Sequence, residues 1–211
     1  MAKCLNIMES SPITTTTKPV SINNELKALH LVLCYESFLK PDLFGVGASS
    51  PGLVYRKWKL FVERCRTEHV CTPKLYFISL DIKRCFDTLP QDRILNIVRD
   101  SLTEDQYTIK KFVKIRMSQN GSISKKYVSK ATDGFDCSNF VSFIRDGLAS
   151  GRITGRNCVF VDKVYYRKES RDTLLSLLTK HLKCSIGHVG DRYLLQNTGT
   201  FLHSDTIVKV L

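Results

Sequence analysis

The stretch LYFISLDIKRCFDTLPQDRI, residues 75–94, decides the predicted fold, because an apolar run ends on a carboxylate and leads directly into a helix. Residues 75–80 are almost all apolar or β-prone, as in a sheet strand covered on both faces. Asp81 follows at the carboxyl end of that strand, where open α/β sheets bind ligands. Thr88-Leu89-Pro90-Gln91 fits a capping box, and the apolar stripe of the next helix consists of Ile94, Leu95, Ile97 and Val98. The stretch predicts a strand, an acidic turn and a helix in an α/β or α+β chain.

The carboxylate of Asp81 has two possible roles. In the predicted position it can coordinate Mg²⁺ that bridges the phosphates of a nucleotide, because this cation uses one or two carboxylates together with substrate oxygens. An aspartate at the end of a strand is also common in α/β proteins that bind no metal. Asp87 is similarly ambiguous, since a carboxylate at a helix N-terminus often only caps the helix or pairs with its dipole.

The charge of the chain favours an anionic partner. Its 32 basic and 20 acidic residues give a formal net charge of +12 over 211 residues. Nucleic acid is the partner that such a balance favours most, although ribosome-associated and membrane-surface proteins share it. The length is enough for one domain, with or without an appendage.

The eight cysteines predict neither disulfides nor zinc. No Cys-x-x-Cys pair is present, and the cluster of Cys65, His69 and Cys71 has no evident fourth ligand. The amino terminus shows no apolar core before a small-residue cleavage site, and no run approaches 18 apolar residues. We therefore expect a reduced, intracellular, soluble chain that does not contact membranes.

Periodicity predicts the remaining elements. Residues 1–22 are expected to be a flexible lead-in, and residues 24–39 an amphipathic helix. A second helix is expected over residues 53–68, with Trp58, Phe61, Val62 and Cys65 inward. Its other face carries Arg56, Lys57, Lys59, Arg64 and Arg66, which either contact a duplex or are simply solvated. Further on we expect a helix over 135–150 with Phe140, Val141, Phe143, Ile144 and Leu148 buried, a strand over 157–166 and a leucine-rich helix over 171–182.

A basic hairpin is predicted over residues 106–131. Asn120-Gly121 separates two runs that mix lysines with apolar and aromatic residues, which is a strong hairpin signal. The lysines are Lys110, Lys111, Lys114, Lys125 and Lys126. They either follow a phosphate backbone, with aromatic side chains packing or stacking, or only keep a surface hairpin soluble.

The residues around Asp81 resemble motif A of the telomerase reverse transcriptases. An aromatic, Phe86, follows Asp81 by five positions, and a second aspartate then leads into a Thr-hydrophobic-Pro-Gln-Asp-Arg helix start. The resemblance implies that Asp81 binds both catalytic Mg²⁺ ions, with the backbone carbonyl of Ile82 as a further ligand. It also implies that Phe86 lies under the sugar of the incoming nucleotide, where it disfavours a 2′-hydroxyl.

The resemblance extends over most of the chain, residues 23–199. LKALHLVLCYE, the Lys40-Pro41 break, the Gly-Ser loop and YRKWKLFVERCR resemble motif 3 (about 24–51) and the helix that follows it. Lys27 and Lys40 would then face the RNA–DNA hybrid. The segment from about residue 100 to 185 resembles the telomerase insertion in the fingers domain. In ordinary reverse transcriptases the same interval is much shorter. GDRYLLQNTG, 190–199, resembles the start of motif B′, and residues 200–211 diverge. The implied fold is an incomplete right-hand polymerase palm and fingers with the telomerase insertion.

The resemblance implies RNA-templated addition of telomeric DNA repeats to chromosome 3′ ends, in the nucleus at the telomere of the chromosome. Its implied partners are telomerase RNA, telomeric single-stranded DNA, deoxynucleoside triphosphates and other telomerase domains or subunits. Two-metal nucleotidyl transfer needs carboxylates from two places. The paired aspartates of motif C and the rest of motif B′ are not found in these 211 residues. We therefore expect the isolated, truncated chain to be inactive as a polymerase. The alternatives are a non-catalytic short isoform that binds nucleic acid or telomerase subunits, and a retroelement-type reverse transcriptase, which the long insertion disfavours.

Overall fold

The computed structural model combines helices with antiparallel sheets, which confirms the α+β class. It describes residues 5–7, 20–44, 51–68, 74–80, 83, 85–118, 120–136 and 139–200. The helices are α1 (Ile22–Glu25), α2 (Lys27–Leu39), α3 (Pro51–Glu68), α4 (Cys85–Thr88), α5 (Gln91–Ser101), α6 (Phe140–Ala149) and α7 (Arg171–Lys183), with a 3₁₀ helix at Pro41–Phe44. The strands are β1 (Leu5–Ile7), β2 (Gln106–Met117), β3 (Ile123–Asp133), β4 (Cys158–Ser170), β5 (Ile186–Val189) and β6 (Arg192–Gln196).

The larger sheet has the order β3-β2-β4, with β2 antiparallel to both neighbours. Its first two strands form the predicted hairpin around Asn120-Gly121, which is confirmed. Gly121 has a φ of 75°, a conformation that glycine adopts without steric cost, and its amide donates to the carbonyl oxygen of Ser118 at 3.0 Å. The pairing of β2 with β4 shifts register between Lys111 and Phe112. There the Asp162 carboxylate accepts a hydrogen bond from the Val164 amide at 2.9 Å, which stabilises a bulge in β4.

The main core lies between α2, α5, α7 and the proximal end of this sheet. The buried side chains follow helical spacing, at Leu29, Val32 and Leu33 in α2 and at Leu174, Leu178 and Leu182 in α7. They pack with Ile94, Leu95, Val98, Leu102, Tyr107, Ile109 and Ala131. A second cluster forms on the opposite face of the sheet, where Phe112 packs against Phe143 and Ile144 of α6 and against Ile153. The central strand therefore contributes side chains to two cores.

A buried carboxylate ties α2 to β2. Glu36 is fully buried and accepts hydrogen bonds from the Tyr107 hydroxyl at 2.5 Å and from the Thr103 amide and hydroxyl at 3.1 and 2.8 Å. Burial, followed by the hydrogen bond to Glu36, raises the pKa of Tyr107. The phenol therefore stays protonated and donates to the carboxylate.

The predicted strand over residues 75–80 is wrong. Residues 74–80 have no strand assignment, and the exposed fractions of Phe77 and Leu80 are 82% and 90%. A strand that is buried on both faces needs neighbouring strands to pair with and other elements packed against each face of the sheet. Within the described residues both sheets are built from other segments, so the run has no ladder to join.

Helix α5 begins differently from the prediction. Pro90 occupies the N-cap position of α5 with no side-chain cap hydrogen bond, so the capping box from Thr88 to Gln91 is not formed. Proline has no side-chain acceptor, and the Gln91 amide is used in a longer-range contact. The predicted apolar stripe is confirmed at Ile94, Leu95 and Val98, whereas Ile97 is exposed.

Two further helices differ from prediction in their buried faces. α3 ends at Glu68 as predicted and begins two residues earlier, at Pro51, but none of its side chains is buried and Trp58 and Phe61 are exposed. The Trp58 ring instead contacts the rings of Phe61 and Phe77, whose centroids lie 5.5 and 5.9 Å from its own. α6 begins at Phe140, because Asn139 accepts a hydrogen bond from the Ser142 amide as its cap. Val141 and Leu148 of α6 are exposed, contrary to expectation, because only one side of this short helix faces the sheet.

The remaining predictions concern the chain's ends and α7. α7 is confirmed, with Leu174 and Leu178 buried. Most of the expected lead-in, residues 1–22, lies outside the described residues, but Leu5–Ile7 pair with β6 and so are not free coil. No helix in the described part of the chain is long and apolar enough to cross a membrane.

Candidate functional site

Two segments that are far apart in sequence are hydrogen bonded to each other. Gln91, which opens α5, is 8% exposed, and its Nε2 donates to the carbonyl oxygens of Gly199 at 3.1 Å and Gln196 at 3.4 Å. These contacts span 108 and 105 residues. The Gly199 amide in turn donates to the carbonyl oxygen of Leu89 at 3.1 Å. We call these three hydrogen bonds the Gln91 clamp. The clamp holds the segment between α4 and α5 against the end of β6.

The predicted metal ligands cannot be placed. Asp81 and Ile82 lie outside the described residues, and only the backbone of Phe86 is described, within α4. Asp87 is exposed in the same short helix. Across the described residues there is no group of three or more His, Cys, Asp or Glu side chains that could hold a metal ion. His69 and Cys71 of the disfavoured zinc cluster also lie outside the described residues.

The structure separates the hairpin lysines onto opposite faces of the sheet, because side chains alternate along a strand and directly paired residues share a face. Lys110, Lys114 and Lys126 share the face on which α6 packs, whereas Lys111 and Lys125 lie on the other. Lys114 donates from Nζ to the carbonyl oxygen of Thr154 at 2.6 Å. The sequence predicted one basic ribbon that contains all five lysines. In the structure the lysines on the two faces of the sheet have different surroundings.

Lys110 differs from the other hairpin lysines because it is 3% exposed. Its Nζ lies 2.9 Å from Oδ2 of Asp136 and 4.8 Å from the ring centroid of Phe143. A buried ammonium in this environment joins the β2 strand to the loop before α6. The structure therefore gives Lys110 internal partners, whereas Lys111, Lys125 and Lys126 are exposed.

The face that carries Lys111 and Lys125 is uncovered in its distal half. We define the open face as Lys111, Val113, Ile115 and Met117 of β2, Ile123, Lys125, Tyr127 and Ser129 of β3, and Val159, Val161 and Tyr165 of β4. Tyr127 is 73% and Tyr165 40% exposed, and Met117, Ile123, Val159 and Val161 are exposed as well, whereas Val113 at the centre of this face is buried. None of the positions that define this face is a carboxylate. An exposed apolar face with basic residues marks a candidate interaction surface.

Two lysine ammoniums accompany the tyrosine rings of the open face. Nζ of Lys111 lies 3.8 Å from the ring centroid of Tyr165, and Nζ of Lys163 lies 5.7 Å from that of Tyr127. Sequence reasoning missed Tyr165 and Lys163. Alternation within residues 159–165 hints at a strand with two faces, but the bulge at Val164 interrupts the alternation and the pairing with β2 is not encoded locally.

The other predicted nucleic-acid contacts lie at helix surfaces. Lys27 begins α2 and Lys40 follows its last residue, and both are exposed. The amide of Lys40 donates to the Glu36 carbonyl oxygen at 2.8 Å, which ends the helix. The five basic residues of α3 are exposed too. These positions are accessible to solvent.

Comparison with known proteins gives one consistent set of relatives, although no protein-family model matches the chain. The chain is 28% identical over 180 residues to the telomerase reverse transcriptase of Mus musculus, covering 82% of this chain and 16% of that protein. The telomerase reverse transcriptase of Canis lupus familiaris is 23% identical over 92% of this chain and 17% of its own length. That of Oryza sativa subsp. japonica is 25% identical over 82% of this chain. The chain thus spans a small part of the length of the curated relatives that it matches.

Proposed function

We propose that the chain belongs to the telomerase reverse transcriptase family and forms part of the polymerase domain that adds telomeric DNA repeats to chromosome 3′ ends on an RNA template. The observation that carries the proposal is the match to relatives from mammals and a plant over most of this chain. The reported relatives favour this assignment over a retroelement enzyme. The complete activity belongs to a protein several times longer than the matched segment.

The Gln91 clamp supports the proposed register of the motifs. If residues 75–94 correspond to motif A and residues 190–199 to the start of motif B′, both segments serve one nucleotide site and must lie close together. The hydrogen bonds from Gln91 to Gly199 and from Gly199 to Leu89 bring them into direct contact. The contact between residues 89–91 and Gly199 is therefore one that the proposed motif assignment requires.

Within this proposal Asp81 and the carbonyl oxygen of Ile82 hold Mg²⁺, and Phe86 contacts the sugar of the incoming nucleotide. The bound ion would neutralise charge on the phosphates during transfer. One carboxylate suits a cation that takes its other ligands from water and substrate, but a second ion needs further carboxylates. We therefore propose that the isolated 211-residue chain does not polymerise.

Lysines that are exposed or, for Lys114, half-buried supply the proposed contacts with telomerase RNA and telomeric DNA. Lys111, Lys114, Lys125 and Lys126 lie on the two faces of one ribbon, and Lys27 and Lys40 lie at the ends of α2. Lys110 is not included, because a buried ammonium beside Asp136 has no access to a phosphate. Other proposed partners are deoxynucleoside triphosphates and further telomerase domains or subunits. With these partners, the proposed location of the protein is the nucleus, at telomeres.

Immunodepletion tests the family function in the native protein. An antibody raised against the 211-residue chain should remove telomeric repeat addition from a nuclear extract of the source organism, whereas preimmune serum should leave it. Antibody that is first absorbed with the chain controls for other targets. Full retention of activity after the antigen has been depleted would contradict the proposal.

Primer extension tests the part played by Asp81. The isolated chain, given Mg²⁺, a primed RNA template and deoxynucleotides, should extend no primer. Templated extension that is lost in Asp81→Ala would show that the carboxylates of this chain suffice for polymerisation, and would overturn the proposed inactivity of the isolated chain.

A second candidate function is a non-catalytic chain that binds nucleic acid or other telomerase subunits. The open face with Lys111 and Lys125 favours it, because this surface needs no metal to bind a polyanion. Filter binding over a salt series measures this function. Phosphate contacts predict a steep loss of affinity with salt, and a flat salt dependence would count against it.

A further inference from the structure

The open face combines features that suit one class of ligand. Its defining residues include lysines and no carboxylate, so it is complementary to a polyanion. It also presents two exposed tyrosine rings, which a purely electrostatic phosphate site would not need. Bases of a single strand have free π faces that stack on aromatic rings, whereas those of a duplex are already stacked.

The tyrosine rings are held on a rigid support. Tyr127 lies opposite Val113, and Tyr165 lies opposite Lys111, so both flank the central strand β2. On the reverse of that strand Phe112 is buried against α6, with the Phe140, Phe143 and Phe160 ring centroids 6.0–6.1 Å away. A strand that is paired on both sides and packed from behind cannot easily shift. The tyrosines themselves lie on the edge strands β3 and β4, which are each paired with β2 and contribute Val128 and Phe160 to the same cluster, so the backbone beneath the rings is preorganised.

The spacing of the rings suits a short oligonucleotide. Strands are about 4.8 Å apart and rise about 3.4 Å per residue, so the Cα atoms of Tyr127 and Tyr165, two strands and two residues apart, are separated by about 12 Å. That distance is within a single-strand site of about 4 nucleotides or more. Each ring also has an ammonium over one of its faces, Lys163 over Tyr127 and Lys111 over Tyr165. A base would therefore stack on the opposite face of each ring, with the ammonium within reach of its flanking phosphates.

We infer that the open face binds single-stranded nucleic acid, with bases stacked on Tyr127 and Tyr165 and with Lys111, Lys125 and Lys163 at the phosphates. The inference rests on the proposed nucleic-acid role of Lys111 and Lys125, and it adds the stacking residues, the face and the strandedness of the ligand. The two tyrosines provide affinity that does not depend on salt, and the lysines provide the part that does.

Fluorescence anisotropy with the full 211-residue chain and labelled oligothymidine tests the inference. Tyr127→Leu and Tyr165→Leu should each weaken binding about tenfold without changing the salt slope. Tyr127→Phe and Tyr165→Phe should bind like the unmodified chain, because the ring face is retained. Phe135→Leu is the matched control, since this ring is equally exposed but lies in the turn after β3, outside the open face.

The lysine variants separate the inference from the proposal beneath it. Lys111→Gln and Lys125→Gln should each lower the salt slope by about 0.7, the value for one phosphate contact on a single strand. If the lysine variants weaken binding and the tyrosine-to-leucine variants do not, stacking is overturned while the phosphate contacts stand. Absence of salt-dependent binding in the unmodified chain overturns both. The Tyr127→Leu/Tyr165→Leu double variant also tests a protein-docking role for the open face. If it binds the oligonucleotide with unchanged affinity but self-associates less than the unmodified chain in sedimentation, the face docks protein and the inference is overturned. Circular dichroism of every variant checks that the fold is retained.

Discussion

The packed region, residues 102–118, 120–136 and 139–183, differs sharply from the signature region, residues 51–68 and 74–80. Both are rich in apolar residues, and the signature region contains the apolar run that precedes Asp81. The packed region buries a set of apolar residues in two clusters around β2, although the apolar residues of its open face stay exposed. In the signature region no side chain of α3 is buried and the apolar run is exposed. The strength of a sequence pattern therefore does not measure how well a segment is packed, since burial requires a covering surface.

Replacement of one phenylalanine in each region gives the largest expected contrast. Phe112 is 1% exposed and contacts three aromatic rings, so Phe112→Ala should destabilise the chain by about 3–5 kcal/mol. Phe77→Ala is the matched control in the signature region and should change stability by less than about 0.5 kcal/mol. Urea unfolding followed by circular dichroism measures both values. Equal losses in the two variants would show that the regions are packed alike.

The Gln91 clamp joins α5 to the end of β6, and its loss should have the next largest effect. Gln91→Glu keeps the shape of the side chain but removes the donor and faces a carboxylate toward two carbonyl oxygens. A cost of about 1–3 kcal/mol is expected, because these buried groups lose their partner. Hydrogen exchange of the Gly199 amide should accelerate. Arg93→Gln, on an exposed position of the same helix, controls for changes in helix propensity. Unaltered protection of Gly199 in the glutamate variant would mean that the clamp contributes nothing.

The buried phenol of Tyr107 predicts a pH dependence at alkaline pH. Burial raises the pKa of Tyr107 in the folded state, so the folded chain keeps a proton that the unfolded chain loses above about pH 10. The stabilisation is complete below that pH and is lost as the pH rises further, at about 1.4 kcal/mol per pH unit. Urea unfolding between about pH 9 and pH 11 measures the slope. Tyr107→Phe should make it shallower by the same amount, and an identical slope in that variant would exclude Tyr107 as its source.

The smallest expected effect concerns the surface of α3. Lys59 and Glu63 form an exposed i,i+4 ion pair with 3.7 Å between Nζ and Oε1. Glu63→Gln should change the free energy of unfolding by about 0.5 kcal/mol or less, since water and salt screen such a pair. The measurement is the same urea titration at low and high salt. A loss comparable to that of Phe112→Ala would mean that the signature region is far more tightly organised than its exposure indicates.

Much of the local structure could be predicted from the sequence. The Asn120-Gly121 turn and the spacing of leucines in α7 are local signals, because turn chemistry and helical period act within a few residues. The residues around Asp81, namely Phe86, the second aspartate and the Thr-hydrophobic-Pro-Gln-Asp-Arg helix start, carried the resemblance to the family of the relatives found by comparison. The buried strand over residues 75–80 was not predictable in the same way, because burial on two faces depends on neighbours that the run itself does not specify.

The candidate interface was only partly predictable. Charge and the hairpin pattern marked the lysines, but whether a lysine faces solvent depends on which side of the sheet receives α6. That packing separates Lys110, held by Asp136, from Lys111, which points to the open face one residue later. Tyr165 joins the same face only because β4 pairs with β2 beyond a bulge.

By itself the sequence determined the elements that arise from short-range forces: the period of the helices, the glycine turn of the hairpin, the excess of positive charge and the motif around Asp81. The tertiary structure decided which of these elements are covered, which strands pair and which distant groups meet, as Gln91 meets Gly199 and Glu36 meets Tyr107. The physical reason is range. Propensity and turn chemistry act between near neighbours along the chain, whereas burial and long-range hydrogen bonds depend on surfaces that only the folded chain brings together.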